Sequence, residues 1–183
     1  MAGSMNSPLV GRSEELGRVL AALVRAAAGS GGTLLLAGEA GIGKSRLATE
    51  TLTLARERGF VTVEGAAHPL QADLAYAPVL EALGPFLYGL EPVRLAALVR
   101  DLPDLGRLFV RLQLPPPEPL GDADLERTRL FETVSRRVAA ERPVALLVDD
   151  LHWADAASLE LLHYLARGLA SRRDVGRHGH HPR

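Results

Sequence analysis

The apolar positions keep two rhythms along the chain, one of period near 3.6 and one of short unbroken runs. In "SEELGRVLAALVRAAAG", Leu16, Val19, Leu20, Leu23 and Val24 recur at helical spacing, with Ser13 placed as N-cap and Gly29 as the stop. "TLLLAG" (33–38) is too brief for a helix and runs directly into glycines, which predicts a buried strand. "KSRLATETLTLARERG" returns to helical spacing and ends at Gly59, and "FVTVEG" (60–65) is a second, β-branched run. Strand, glycine loop, helix, strand is one βαβ unit of an α/β fold with a parallel sheet.

The middle of the chain changes character. Residues 66–119 are rich in Leu, Ala and Pro without a β-rich run, which predicts a helical insertion with helices over 77–88 and 92–99. "LPPPEPLGD" (114–122) reads as a proline-rich linker, followed by a long helix over 122–141. "RPVALLVDDLHWAD" then predicts a third buried strand at 144–148, with two acids at its carboxyl end and Asp155 capping the helix "AASLELLHYLARGLA". The final "SRRDVGRHGHHPR" has a single aliphatic residue, Val175, and cannot supply a strand.

Composition narrows the classes. At 183 residues the chain suits one domain with a real core. Lys+Arg 21 against Asp+Glu 22 gives a net charge of −1, so bulk electrostatics favour neither a nucleic acid nor an anionic membrane surface. No helix-turn-helix or basic face is legible, so direct nucleic-acid binding is not expected. Cysteine is absent, which removes disulfides, thiolate metal sites and cysteine nucleophiles. No apolar run approaches the ~20 residues of a spanning helix, and the first residues lack the pattern of a signal peptide. The expectation is a cytoplasmic protein with no membrane partner.

The chemistry concentrates in Gly38-Glu39-Ala40-Gly41-Ile42-Gly43-Lys44-Ser45, which meets every constrained position of G-x-x-x-x-G-K-[ST]. Such a loop turns successive backbone N–H groups inward onto phosphates, and the following helix adds its positive end. Lys44 would reach the β- and γ-phosphates, and the Ser45 hydroxyl would ligate Mg²⁺. About a hundred residues on, four aliphatics lead to Asp149 and Asp150, the pattern of a Walker-B strand. Asp149 would hold Mg²⁺ through water. Asp150 would orient or deprotonate the attacking water, unless the domain holds nucleotide with little turnover. His152 reads as a structural or cap contact, Trp153 as a packing anchor under the acidic loop, and His178, His180 and His181 as tail composition rather than a metal tract.

"LVGRSEEL", "GEAGIGKSRL" and "LLVDDLHWADAASLELLHYLAR" occur together and in that order. Together they resemble the N-terminal ATPase domain of large ATP-binding LuxR-type transcriptional regulators and related actinobacterial signalling ATPases, the STAND branch of the AAA+ class. The resemblance covers about residues 9–169, and "DDLHWAD" is its most discriminating piece. It implies a parallel-sheet P-loop core that binds ATP or ADP with Mg²⁺, works as a nucleotide-driven switch and self-associates through the ATPase domain. Val10, Gly11 and Arg12 match an entrance motif near the adenine, and Gly38 to Ser45, with Arg46 beside them, match the phosphate loop. Asp149 and Asp150 match the Walker-B acids.

The resemblance also implies a fourth strand, a fifth strand and a helical lid after "LARGLASRR", and none is legible. In its sheet order five-one-four-three-two, the fourth strand stands between the phosphate-loop strand and the acidic one. The expectation is an incomplete domain with unpaired backbone on two inner strands. Read one nucleotide forward, with arginines taken as CGN codons, the tail becomes a β-rich string. The domain expectation is therefore a disordered 1–8, an incomplete ATPase domain over 9–170, and a disordered, frameshifted tail over 171–183. A forward frame in the gene that lacks an aliphatic strand and soon stops refutes the frameshift and leaves a naturally short chain with a disordered tail. Hydrolysis stays open, since sensor and arginine-finger groups are not legible. A small-molecule or nucleotide kinase, distinguished by phosphate transfer to an acceptor, and a non-functional fragment, distinguished by the lack of a cooperative melt, are the alternatives.

Overall fold

Two of the three apolar runs that read as strands lie side by side. The computed structural model describes residues 11–71, 73–101, 105–114, 119, 121–122, 125–126, 128–129 and 143–175. In it β1 (Val61–Ala66) and β2 (Val144–Asp149) pair in parallel, from Val61 opposite Val144 to Ala66 opposite Asp149. Bonds just beyond the strands hold this register: the Val61 N–H donates to the Pro143 carbonyl (2.9 Å) and the Ala67 N–H to the Asp149 carbonyl (3.1 Å). The helices among the described residues include α1 (Ser13–Ala27), α2 (Lys44–Glu57), α3 (Ala77–Tyr88), α4 (Pro92–Asp101), α5 (Leu105–Leu108) and α6 (Ala156–Val175).

Neighbouring residues of a strand point to opposite faces, and each face of the ladder has its own cover. On one side Val63 is buried with Val79, Leu83 and Leu87 of α3, Phe109, and Leu161 of α6, and Val61 and Val144 pack against the same cluster. On the other, Phe60 joins Val19 and Leu23 of α1 and Ala55 of α2, with Ala145 against them. Helix, sheet, helix is the layering of an α/β domain, and burial of apolar area on both faces drives it. The approach of β1 to α3 is very close. A Cβ on Gly65 would lie 2.2 Å from the Pro78 carbonyl oxygen and 2.9 Å from the Ala82 nitrogen.

Several elements fall where the periodicity puts them. α3 spans the predicted range, α4 runs two residues further, and β2 takes in Asp149. α6 continues to Val175, past the Ala170 at which the periodicity closes it. Asp122 accepts the Leu125 N–H (3.1 Å), a capping geometry that the prediction of a helix over 122–141 did not include. Most of that helix, with residues 130–142, lies outside the described residues.

Three expectations are corrected. Ser13 is the first helical residue rather than the cap; Arg12 takes the cap position, and Glu14 and Glu15 supply favourable charge to the first turn instead. Val24, read as part of the apolar stripe, is exposed, because α1 buries Val19 and Leu23 and Val24 falls beside that line. The largest correction concerns residues 33–38. They form no ladder with any described strand, and Leu34 and Leu35 are 47% and 76% exposed. An apolar run becomes a strand through a hydrogen-bonded neighbour and covered faces, not through composition alone. β2 gives one edge to β1, and no described strand stands beside residues 33–38.

Among the described residues no helix is long and apolar enough to cross a membrane.

Candidate functional site

The site begins where the backbone of the glycine loop turns. Gly41 and Gly43 hold φ values of 78° and 88°, a region in which a side chain costs about 1 kcal/mol or more. Gly43 occupies the cap position of α2 and makes no side-chain cap bond, so the first amides of α2 open onto the loop. Glu39, Ala40, Ile42 and Arg46 surround this opening from exposed positions.

Two cations brace the loop from within. The Lys44 ammonium donates to the carbonyls of Gly38 (2.9 Å) and Glu39 (2.8 Å), curling back over its own loop. Arg12 donates from its guanidinium to the Ile42 carbonyl and lies 3.5 Å from the Glu15 carboxylate. Gly11 turns with φ 78° just before it. The structure thus sets Arg12 against the phosphate loop itself. Val10 lies outside the described residues.

The two motifs meet across 104 positions of sequence: the Ser45 hydroxyl donates to Asp149 Oδ2 at 3.0 Å. The other carboxylate oxygen, Oδ1, accepts the Asp150 N–H at 2.8 Å. Ser45 stands there because it opens α2, and Asp149 because it ends the β2 ladder. Mg²⁺ is a hard cation that takes one or two carboxylate or hydroxyl oxygens from protein and completes its shell with water and phosphate. A hydroxyl and a carboxylate oxygen side by side, next to a lysine and a helix N-terminus, fit that ion. Bound there, it would neutralise charge on the β- and γ-phosphate oxygens.

Beyond Asp149 the chain makes a tight turn. Asp150 adopts φ 53°, Leu151–Trp153 form a 3₁₀ turn, and the Trp153 and Ala154 N–H groups donate to the carbonyls of Asp150 (2.9 Å) and Leu151 (3.1 Å). The exposed Asp150 carboxylate lies 4.0 Å from His152 Nδ1. Trp153 stacks obliquely on His152, with centroids 4.9 Å apart, and is 43% exposed. It is therefore not the packing anchor expected from sequence. The 3₁₀ turn carries it outward, and Leu161 fills the core beneath α6 instead.

Asp155 is a cap, as predicted, and also something the sequence did not disclose. It is buried, with Oδ1 accepting the Ser158 N–H (2.8 Å) and Oδ2 accepting the Ser158 hydroxyl, itself fully buried. Oδ1 also accepts the Tyr76 N–H (3.3 Å), from the left-handed residue (φ 65°) that opens α3. Burial alone would raise this carboxyl, but the Ser158 hydroxyl, the Ser158 amide and the Tyr76 amide together hold it below the ordinary carboxylate value. The Asp-x-x-Ser spacing shows the cap in the sequence. Nothing local signals the bond to Tyr76.

With this geometry in place, comparison with known proteins is informative. The family model for the AAA ATPase domain matches residues 8–175. An uncharacterised protein of Rhizobium meliloti (strain 1021) is 32% identical over 188 residues, covering 92% of this chain and 18% of that protein. This chain thus spans less than a fifth of that relative's length. No solved structure gives a match. A glycine loop on a helix N-terminus, an acid at the end of a parallel strand, and a family match over nearly the whole chain agree: this chain belongs to the AAA ATPase domain family.

Proposed function

We propose that the chain is the Mg·ATP-binding domain of a larger signalling or transcriptional ATPase, acting as a nucleotide-dependent switch. One observation carries the reading: the Ser45 hydroxyl and the Asp149 carboxylate stand 3.0 Å apart where the phosphate loop meets the acidic strand end. Lys44 provides the positive charge for the β- and γ-phosphates once its bonds to the Gly38 and Glu39 carbonyls are shared with ligand. Asp150, exposed and one residue beyond the metal position, is the base that would orient an attacking water. By the resemblance of their motif, Val10, Gly11 and Arg12 would serve the nucleotide side of the site. Placement in a LuxR-type or other STAND regulator, with self-association through this domain, rests on the resemblance of "DDLHWAD" and its companion motifs.

A thermal-shift titration with Mg·ATP tests it. A ligand that binds only the native state raises the melting temperature saturably. The expected result is such a rise in the wild type and none in Lys44→Ala, which keeps its own cooperative melt. Equal rises in both proteins would remove Lys44, and with it the phosphate-loop assignment, from the site.

A further inference from the structure

We propose that Asp155 is a positioning residue for Asp149: it anchors the far end of the acidic turn to α3 and so aims the Asp149 carboxylate at Ser45. The inference rests on the Mg·ATP reading above and adds a residue to it. Asp149 Oδ2 meets Ser45 because Oδ1 is taken by the Asp150 N–H. That N–H belongs to Asp150, the left-handed residue that opens the 3₁₀ turn of Leu151–Trp153, so the carboxylate is tied to the start of the turn. A turn of this kind is held by its two ends. The near end is the β2 ladder, where the Asp149 carbonyl accepts the Ala67 N–H. The far end is Asp155, fixed by Ser158 on its own helix and by Tyr76 from a distant part of the chain.

The bond to Tyr76 separates positioning from capping. A helix cap needs only Ser158. The additional contact reaches the head of α3, which packs on β1 through the Gly65 approach, so both ends of the acidic turn are referred to the same ladder. Groups that orient a metal ligand without touching the metal typically govern its affinity by about 10–100-fold.

Two substitutions and the chain's single tryptophan test this. Asp155→Ser keeps a good helix cap but is too short to serve Tyr76 and Ser158 together. Asp155→Asn keeps an acceptor oxygen for both amides. Trp153, two residues away and partly exposed, reports the turn through its emission and its quenching by acrylamide in nucleotide-free protein. The second readout is the gain in ATP affinity on replacing EDTA with Mg²⁺.

Asp155→Ser should redden and expose Trp153 and reduce the magnesium gain about tenfold, leaving ATP affinity in EDTA unchanged. Asp155→Asn should match the wild type in both. Wild-type Trp153 quenching in Asp155→Ser overturns the anchor, and changed quenching with an intact magnesium gain overturns the positioning role. If Asp155→Ser fails to fold, a folded Asp155→Asn that has lost the magnesium gain overturns the proposal, and one that retains it supports it. A wild type that binds no nucleotide refutes the functional reading and the positioning role with it, while the quenching comparison still decides the anchor.

Discussion

Two aliphatic arms lead to the site, and in sequence they are near twins. Residues 33–38 read TLLLAG and deliver the glycine loop; β2 reads VALLVD and delivers the acidic pair. In the structure they part company. β2 is registered residue by residue against β1 and packs Val144 against one cluster and Ala145 against the other, with Leu146 left exposed, whereas 33–38 has no described strand beside it and shows Leu34 and Leu35 to solvent. Composition equips a segment to be a strand, and a partner makes it one.

Proline separates the arms most sharply. The bonds at Val61 and Ala67 set an alternation that turns the Leu147 N–H toward β1. Leu147→Pro should cost about 3 kcal/mol or more, seen as loss of the cooperative urea transition. Next in size is the anchor of the acidic arm. Asp155→Ala leaves the buried Ser158 hydroxyl and two amide donors without their acceptor, and should lower the unfolding free energy by about 2–4 kcal/mol.

The same carboxylate gives this loss a pH signature. Its folded value lies below the ordinary one of ~3.9. Its contribution is therefore complete above that value and drains away as pH falls toward the folded value. Denaturant melts from pH ~5 down to ~2.5 should show a decline in the wild type whose Asp155 component is missing in Asp155→Ala.

Where the arms meet, Ser45→Ala should weaken Mg·ATP binding about tenfold while leaving ATP binding in EDTA alone. Isothermal titration in the two buffers reads this directly, and equal losses in both would mean that Ser45 serves the phosphate rather than the metal. The smallest effect belongs to the arm with no described strand beside it: Leu35→Pro should change stability by less than about 1 kcal/mol. A loss comparable to that of Leu147→Pro would show that residues 33–38 are as fully paired in solution as β2.

These contrasts also explain what the sequence could reveal. The glycine loop was legible because its chemistry is local: Gly41 and Gly43 need left-handed backbone, and the helix must start at once. α3 and the Asp155 cap were legible for the same reason, through spacing within a few residues. The meeting of Ser45 with Asp149 followed from motif pairing, although no periodicity could give its distance. What escaped was non-local. The bond from Tyr76 to Asp155 joins residues with nothing in common in sequence, and the exposure of Trp153 depends on which way a 3₁₀ turn carries it. The burial expected for Leu34 and Leu35 failed because it presupposed neighbours that a local pattern cannot supply.

Gly65 shapes how this domain can vary. With a carbonyl 2.2 Å from where its Cβ would be, even one methyl group must push α3 off the ladder. Drift in the helical insertion is therefore not independent of drift in the sheet: the Pro78 carbonyl is main chain and stands there whatever residue occupies 78, and a larger side chain at 82, whose Cβ lies 3.1 Å from that point, competes with any side chain at 65 for one small space. Among relatives of this chain that keep this approach, position 65 should stay glycine and position 82 small, and designers grafting a new insertion here should preserve both.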